Sequence, residues 1–460
     1  MDPQPKNPVV WTAVIVAAGK GTRLGPDRAA PKPLMPVAGV PLIARVMANA
    51  SKAGIRRFVV VTGFQADVMS RELPGWVPRN CELEMIHNPR FEEPNGVSLL
   101  SAAQKLHEPF ALLMSDHLFS PDRLRKAIEA FERGGRCLLV VEDRSRFAGD
   151  LDDATRVSVA NGKITAIGKE LPNYDAIDTG MFILKPDAVA AALKRAGSSP
   201  SISDGMRVLT GEGSLDALPA ATGYWQDVDT PEDLREAERK LYASLVKTND
   251  GFLARHLNRP VSLFLSTRLW RVGVTPNAVT AATLGLGLSA GWAFAQGSSV
   301  GWGLLGASLF QLQSIIDGVD GELARLLHKE SRFGFWFDIT VDNLTHIAVF
   351  AGLALGQIAD GHPGPWGILG WAAGLGVAAS FAVMAPLLNA SVRTSAWRKD
   401  GRLLKKIVDG LSRRDFTYLL FPLAVLGWLG DFLWIAATGT WLFTAAVLFL
   451  RLKSRPAETS

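Results

Sequence analysis

The sequence predicts an α/β Rossmann-like domain followed by an all-α, six-helix transmembrane domain, and three observations carry that reading. Up to about Lys247, short apolar runs alternate with charged helical ones. After Pro276 come long apolar stretches such as Ala278–Ala295 and Phe432–Leu450, close to the ~20 residues that a membrane helix needs. The chain also has 460 residues, more than one ordinary domain holds. The expected boundaries are 1–247 for the soluble domain, 248–275 for an amphipathic juxtamembrane segment and 276–460 for the membrane domain.

Met1–Val10 carries one lysine, several prolines and no apolar core, so it does not read as a signal peptide. Thr12–Ala17 reads as a strand running into glycine-rich sequence. Helices are expected at Pro41–Ala53, Ala66–Leu73 and Pro121–Arg133, with strands at Arg57–Thr62, Glu82–Ile86, Ala111–Met114 and Cys137–Val141. Strands alternating with helices imply a mostly parallel sheet covered by helices. Pro231–Lys247 is the last charged helix. Cys81 and Cys137 fit no disulfide framework or metal spacing and read as core residues of a reduced cytosolic compartment.

From Asp250 to Val274, Leu253, Leu257, Val261, Phe264 and Leu265 recur at helical spacing among Arg255, Arg259 and Arg268. Such a basic amphipathic helix suits an anionic membrane surface, and the plainer reading is a packed linker helix. Thr275-Pro276-Asn277 then supplies an N-cap with proline at the first helical position. Six spans follow, at 276–296, 300–326, 333–358, 364–390, 416–430 and 432–451. The loops Gln296–Gly301, Ala359–Gly364 and Gly430–Asp431 lack Lys and Arg. Ser391–Arg414 holds eight basic residues, and Lys329, Arg332 and the tail residues Arg451, Lys453 and Arg455 add to that side. The positive-inside tendency therefore places both termini and both sites below in the cytosol of a multi-pass cell-membrane protein. A net charge of +5, concentrated in these loops, speaks for membrane topology and against nucleic-acid binding.

The first chemical motif runs from Val14 to Gly25. An apolar strand ends in a loop where Ala18, Gly19, Gly21 and Thr22 can bring backbone N–H groups close to phosphate oxygens. Arg23 and Lys32, the latter in Pro31-Lys32-Pro33-Leu34, supply charge for a triphosphate and a leaving pyrophosphate. This combination resembles the sugar-nucleotidyltransferase superfamily, which joins an NTP α-phosphate to a sugar or alcohol phosphate. The resemblance makes Asp116, in Met-Ser-Asp-His, a metal ligand. It adds Asp227 or Asp229, in Trp225-Gln-Asp-Val-Asp-Thr-Pro, as the second ligand. Asp229 also reads as a helix N-cap, and His117 as a satisfied loop histidine. Asn88 with Asn95-Gly-Val-Ser98 resembles the cytidylyltransferase branch, which takes CTP and an alcohol phosphate. Lys169 and Asp178 lie where relatives hold the acceptor.

The second motif is Asp317-Gly-Val-Asp320-Gly321-Glu-Leu-Ala324-Arg325, then Gly334, Asp338 and Asp342. Ionisable groups inside a membrane span are costly and mark function. Asp317, Asp320, Gly321 and Ala324 share one helix face, as do Asp338 and Asp342 on the next helix. Four converging carboxylates call for one or two divalent cations, and small residues at 318, 321, 324 and 334 leave room for a nucleotide. The pattern resembles the CDP-alcohol phosphotransferase family at all eight fixed positions. That resemblance makes Asp317, Asp320 and Asp338 metal ligands, and Asp342 ligand and general base. Gly321, Ala324 and Arg325 would line the CDP-alcohol site, and Arg393 and Arg398 would bind a phosphorylated acceptor.

Together the halves resemble bifunctional inositol-1-phosphate cytidylyltransferase/di-inositol-phosphate phosphate synthases. The resemblance implies CTP and inositol 1-phosphate or a similar alcohol phosphate as substrates, and a CDP-alcohol intermediate. It also implies magnesium or manganese at both sites, a surrounding membrane lipid and a homodimer formed through the membrane domain. A second reading keeps the reactions but joins another CDP-alcohol to a lipid acceptor. A third is an inactive nucleotide-binding membrane scaffold, against which Arg23, Lys32, Asp116 and the four aspartates speak.

Overall fold

The computed structural model describes residues 11–21, 30–147, 151, 154–220, 222–246, 253–393 and 414–453. The chain forms two compact units, Met1–Ser244 and Leu245–Ser460.

Besides a two-residue hairpin (Pro36–Val37 with Val40–Pro41), the first unit contains eleven strands among the described residues. They are β1 (Trp11–Ala17), β2 (Ile55–Thr62), β3 (Glu82–His87), β4 (Phe110–Met114), β5 (His117–Phe119) and β6 (Cys137–Asp143). Then come β7 (Arg156–Ala160), β8 (Lys163–Gly168), β9 (Ala176–Leu184), β10 (Leu215–Pro219) and β11 (Trp225–Asp227). Nine of them build one sheet in the order β3-β2-β1-β4-β9-β6-β10-β8-β7, and β5 pairs with β11 apart from it.

Strands β3, β2, β1 and β4 run parallel, as alternating strands and helices predict. In the other half β10 is parallel to β6, so the sheet is mostly parallel as expected, and two strands run against the rest. β9 is antiparallel to both β4 and β6, and β8 is antiparallel to β10 and β7. For β8 the reason is local. Asn161 and Gly162 both take positive φ (52° and 75°), the pair of left-handed residues that closes a tight hairpin between β7 and β8 in place of a helical crossover.

Helices α1 (Leu42–Ala53), α2 (Ala66–Glu72), α3 (Asn95–Ala103), α4 (Pro121–Gly134), α5 (Pro186–Ala196), α6 (Ile202–Gly211) and α7 (Pro231–Ser244) cover the sheet or flank it. Alternate residues of the central strands feed opposite cores. Val14, Val59, Val61 and Leu112 pack on one face, and Ala13, Ile15, Val60 and Leu113 on the other. Both faces are therefore buried, which is why these strands read as unbroken apolar runs. Cys137 lies in the first of these cores, and Cys81 packs at the margin of the second.

The second unit is helical: α8 (Arg259–Leu269), α9 (Pro276–Ala295), α10 (Val300–Leu326), α11 (Arg332–Ala359), α12 (Trp366–Arg393), α13 (Leu420–Leu426) and α14 (Leu429–Lys453). Thr275 caps α9 by accepting from Ala278 N–H, with Pro276 at the first position, as the sequence predicts. Four segments are long and apolar enough to cross a membrane, namely Pro276–Ala295, Arg332–Ala359, Trp366–Pro386 and Leu429–Phe449. These account for four of the six expected spans, and two do not meet that measure among the described residues. Gln311, Gln313, Asp317, Asp320 and Glu322 make α10 too polar, and the expected fifth span is a short helix that stops at the left-handed Gly427 (φ 73°). The outer faces of the spans are apolar: Ile368 and Trp371 are 73% and 74% exposed. Such a belt belongs against lipid, so the unit is membrane-associated.

Helices α9 and α11 cross closely. A Cβ on Gly352 would fall 2.0 Å from Gly291 O, and one on Gly287 would fall 2.3 Å from Thr345 Oγ1. Small residues let the two backbones approach, the usual basis of helix association in lipid.

Helix α8 is amphipathic and packs through its polar face. Its buried face is polar, with Asn258, Ser262 and Ser266 one turn apart, while Leu257, Val261 and Phe264 are exposed. The partner is Glu322 of α10, fully buried. It accepts from Ser262 Oγ (2.8 Å) and Ser266 Oγ (2.6 Å) and pairs with Arg259 Nη1 at 2.7 Å. Gly318 makes room for this contact, since a Cβ there would lie 3.2 Å from Arg259 Nη1. Removing one partner of a buried ion pair costs roughly 3–5 kcal/mol. Arg259→Met is therefore expected to lower the melting temperature in detergent clearly, and adding Glu322→Gln to recover part of the loss. Additive losses in thermal unfolding would show that the two residues are not coupled.

Candidate active sites

In the first unit, β1 delivers the chain to Gly19 and Gly21. Gly21 has φ +59°, and a Cβ there would lie 2.8 Å from Lys32 Cβ, so both backbone and packing demand glycine. Ala18 is buried at the strand end, where its carbonyl accepts from Phe64 N–H at 3.0 Å. Thr22 and Arg23 lie outside the described residues.

Lys32 is buried, and its Nζ donates to Asp116 Oδ2 at 2.6 Å and to Asp229 Oδ1. Burial works against its charge, yet Asp116 and Asp229 hold its pKa above the ordinary lysine value. Burial likewise disfavours the Asp116 carboxylate, and the Lys32 ammonium more than offsets it, leaving the pKa below the usual range. Asp229 thus shares Lys32 with Asp116, and the cap of α7 falls to Thr230 and Asp233, whose carboxylate accepts from the Thr230 N–H at 2.8 Å.

Asp227 meets the other side of Asp116. Strands β5 and β11 pair antiparallel with His117 directly opposite Asp227. His117 Nε2 lies 3.4 Å from Asp227 Oδ1 and 3.9 Å from Asp116 Oδ1. Donor atoms of Asp116, His117 and Asp227 all lie within 4.8 Å of one another. Burial lowers the His117 pKa, but Asp227 and then Asp116 outweigh it and push it up to about 10. Two carboxylates and an imidazole at this spacing fit a divalent cation. His117 has no sequence signal of its own: only the pairing of two three-residue strands, far apart in the chain, brings it to Asp227.

These groups line one cavity of about 1320 Å³, together with Asn95, Lys169 and Asp178. Asn95 also fixes the start of α6, its Oδ1 accepting from Ile202 N–H at 2.9 Å. Asp178 accepts from Gly180 N–H at 2.7 Å, and burial pushes its pKa up to about 6. Asn88 and Ser98 are not among the lining residues. Both are buried, and Asn88 Nδ2 donates to Ser98 Oγ at 2.9 Å, a packing contact that anchors α3.

In the second unit, carboxylate oxygens of Asp317, Asp338 and Asp342 lie within 4.8 Å of one another. The i and i+4 spacing on α11, facing Asp317 on α10, produces this convergence. Three carboxylates so close repel unless a cation neutralises them, and hard oxygen donors fit a divalent ion. Asp320 is not in that group. It is buried one turn along α10 and accepts from Thr280 Oγ1 of α9. The Arg325 guanidinium folds back over Gly321, whose added Cβ would meet Nη1 at 3.2 Å, and Ala324 is half-buried beside it. Gly334 accommodates its own helix cap: a Cβ would lie 3.1 Å from Ser331 Oγ and 3.2 Å from Asn277 Oδ1. Gly318 and Gly334 therefore serve close packing, which corrects the expectation that both leave space for a nucleotide. Arg393 ends α12, and its side chain, like all of Arg398, lies outside the described residues.

Residues 13–223 match the MobA-like NTP transferase domain, and residues 273–451 match the CDP-alcohol phosphatidyltransferase family. The chain is 31% identical to the bifunctional IPC transferase and DIPP synthase of Aquifex aeolicus, over 97% of this chain and 99% of that one. It is 38% identical to the protein of the same name from Thermococcus kodakarensis, over 76% of each. Among solved structures, the inositol-1-phosphate CTP transferase from T. maritima is similar, with 26% identity, 51% of this chain and 95% of that chain covered, and a TM-score of 0.46. A relative of this identity aligned from end to end, with both chemical halves in the same order, places the chain in the family of bifunctional IPC transferases and DIPP synthases, membrane-associated enzymes that combine a nucleotidyltransferase with a CDP-alcohol phosphotransferase.

Proposed function

We propose that the first site joins CTP to inositol 1-phosphate, giving CDP-inositol and pyrophosphate. The second passes the inositol phosphate of CDP-inositol to another inositol 1-phosphate and releases CMP. The observation that carries this reading is the presence, in one chain with end-to-end bifunctional relatives, of two separate donor sets, Asp116 with Asp227 and Asp317 with Asp338 and Asp342.

In the first reaction an oxygen of the alcohol phosphate attacks the α-phosphorus of CTP, and the bond to the β-phosphate breaks. Glycines 19 and 21 let the backbone approach the triphosphate. Lys32 and, from its place in the motif, Arg23 offset the charge that develops on pyrophosphate. Asn95, Lys169 and Asp178 lie across the same cavity, where they hold the ring hydroxyls and phosphate of the alcohol. In the second reaction a hydroxyl attacks the β-phosphorus of CDP-inositol. Asp342 takes its proton, Arg325 pairs with phosphate, and Arg393 and Arg398 meet the acceptor's phosphate. Magnesium, or manganese, held at the two donor sets would draw charge from the phosphates. Asp317, Asp338 and Asp342 would hold the second ion, with Asp320 fixing α10 against Thr280 of α9.

The finer membrane arrangement belongs to this proposal. Six spans, α10 and the segment around α13 included, put both termini and both sites on the cytosolic side, and the exposed apolar edge of α8 rests on the lipid surface. Two copies would associate through the membrane domain.

Detergent-purified protein incubated with CTP, magnesium and a panel of alcohol phosphates, read by mass spectrometry, tests the reading. Inositol 1-phosphate is expected to give both CDP-inositol and the di-inositol product. Conversion of another alcohol phosphate, with inositol 1-phosphate left untouched, would overturn it. A fragment ending near Lys247 is further expected to be soluble and to release pyrophosphate from CTP with inositol 1-phosphate. A folded but inert fragment, beside an active full chain, would refute the division at that point.

A further inference from the structure

We infer that His117 is a metal-binding residue of the nucleotidyltransferase site, a third donor beside Asp116 and Asp227. This deepens the reading of those two aspartates as metal ligands and rests on it.

The ring is held from several directions. His117 Nδ1 lies 2.8 Å from Thr179 O, and a carbonyl can only accept, so Nδ1 carries a hydrogen and donates it. The Trp225 indole stands edge-on to the imidazole at 5.5 Å between centroids, and its Nε1 donates to the same Thr179 carbonyl at 2.9 Å. Gly180, with φ +68°, leaves the space the ring fills, because a Cβ there would fall 2.5 Å from Nδ1. A backbone carbonyl that fixes one ring nitrogen is the usual support of a histidine whose other nitrogen binds metal.

That other nitrogen, Nε2, points at Asp227 Oδ1 (3.4 Å) and Asp116 Oδ1 (3.9 Å). With Nδ1–H committed to Thr179, an Nε2 lone pair facing two carboxylates is repulsive unless a cation lies between them. A proton on Nε2 is one such cation. Yet both distances exceed the ~2.7–3.2 Å of an ordinary N–H···O bond. Donors around one octahedral ion with bonds of ~2.1 Å stand roughly 3–4 Å apart, the spacing found here. A divalent ion also carries twice the charge of a proton and engages both carboxylates together with the imidazole.

Imidazole suits first-row transition ions better than magnesium, whereas an all-carboxylate set suits magnesium. The two sites of the chain therefore differ in metal class. The cluster with His117 favours manganese, and Asp317, Asp338 and Asp342 form the harder set.

Pulsed EPR of Mn2+ bound to the untagged full chain tests this. The expected result is ¹⁴N modulation from a coordinated imidazole, absent in Asp116→Asn and in His117→Gln. His117→Gln is expected to weaken Mn2+ binding at this site roughly tenfold or more. Mn2+ bound in an Asp116-dependent way but without ¹⁴N modulation would overturn the inference and leave the aspartate reading standing. Modulation that survives in His117→Gln would place the nitrogen elsewhere and overturn it too. A Mn2+ signal indifferent to Asp116→Asn would remove the aspartate reading itself, and the inference with it. If His117→Gln does not fold, the comparison of the wild-type chain with Asp116→Asn still decides.

Discussion

Asp342→Asn is expected to slow transfer from CDP-inositol by ~10²–10⁴ in a single turnover, the usual cost of losing a general base. Asparagine keeps the size and can offer an oxygen to a metal, but it cannot take the proton of the attacking hydroxyl. Asp342 stands with Asp317 and Asp338 within 4.8 Å, so its loss will also weaken metal binding somewhat. The control is Asp317→Asn, which removes a buried carboxylate proposed as a ligand and leaves the proposed base in place. It should raise the metal and CDP-inositol concentrations needed while leaving more of the saturated rate. Single-turnover rates and CDP-inositol affinity at saturating magnesium separate the two roles. Near-normal transfer by Asp342→Asn would assign the proton to another group.

Asp116→Asn is expected to abolish CDP-inositol formation and to leave transfer from supplied CDP-inositol intact. Asp116 accepts from Lys32 on one side and lies in the donor group of His117 and Asp227 on the other. Neutralising it removes a proposed ligand and also strips Lys32 of one of its two carboxylate partners. Pyrophosphate release from CTP and CMP release from CDP-inositol, measured on the same preparation, report the two activities. Loss of both in a folded variant would argue for one shared site.

How far the sequence foretold this arrangement varied with the kind of feature. Features whose partners are close in the chain read well, with the exception of Asp320, which turns to Thr280 and not to Asp317 one turn away. The Gly21 and Lys32 contact spans eleven positions, the carboxylates of α11 lie one turn apart, and Thr275-Pro276 capped its helix as written. Long-range pairing hid the rest. β9 enters the sheet antiparallel between β4 and β6, which no periodicity in Ala176–Leu184 announces. The choice between Asp227 and Asp229 stayed open in the sequence because both flank Val228. In the fold, the β5–β11 register sends one to His117, and Lys32 takes the other. The Asn161-Gly162 turn was a legible signal, and it accounts for the antiparallel edge. On α8 the amphipathic spacing was legible, but nothing in it announced that Glu322, some sixty positions on, is the partner of its polar face.

Because each variant above should lose a different half of the chemistry, mixing them tests the central claim that one chain carries two separate sites linked by a CDP-alcohol. Equal amounts of Asp116→Asn and Asp342→Asn, each unable alone to carry CTP and inositol 1-phosphate through to the di-inositol product, are combined in detergent with magnesium, and product is followed by mass spectrometry. The account predicts that the mixture makes the product, with CDP-inositol formed by Asp342→Asn and consumed by Asp116→Asn. No product from the mixture, although each variant retains its own half-reaction on supplied substrate, would contradict it.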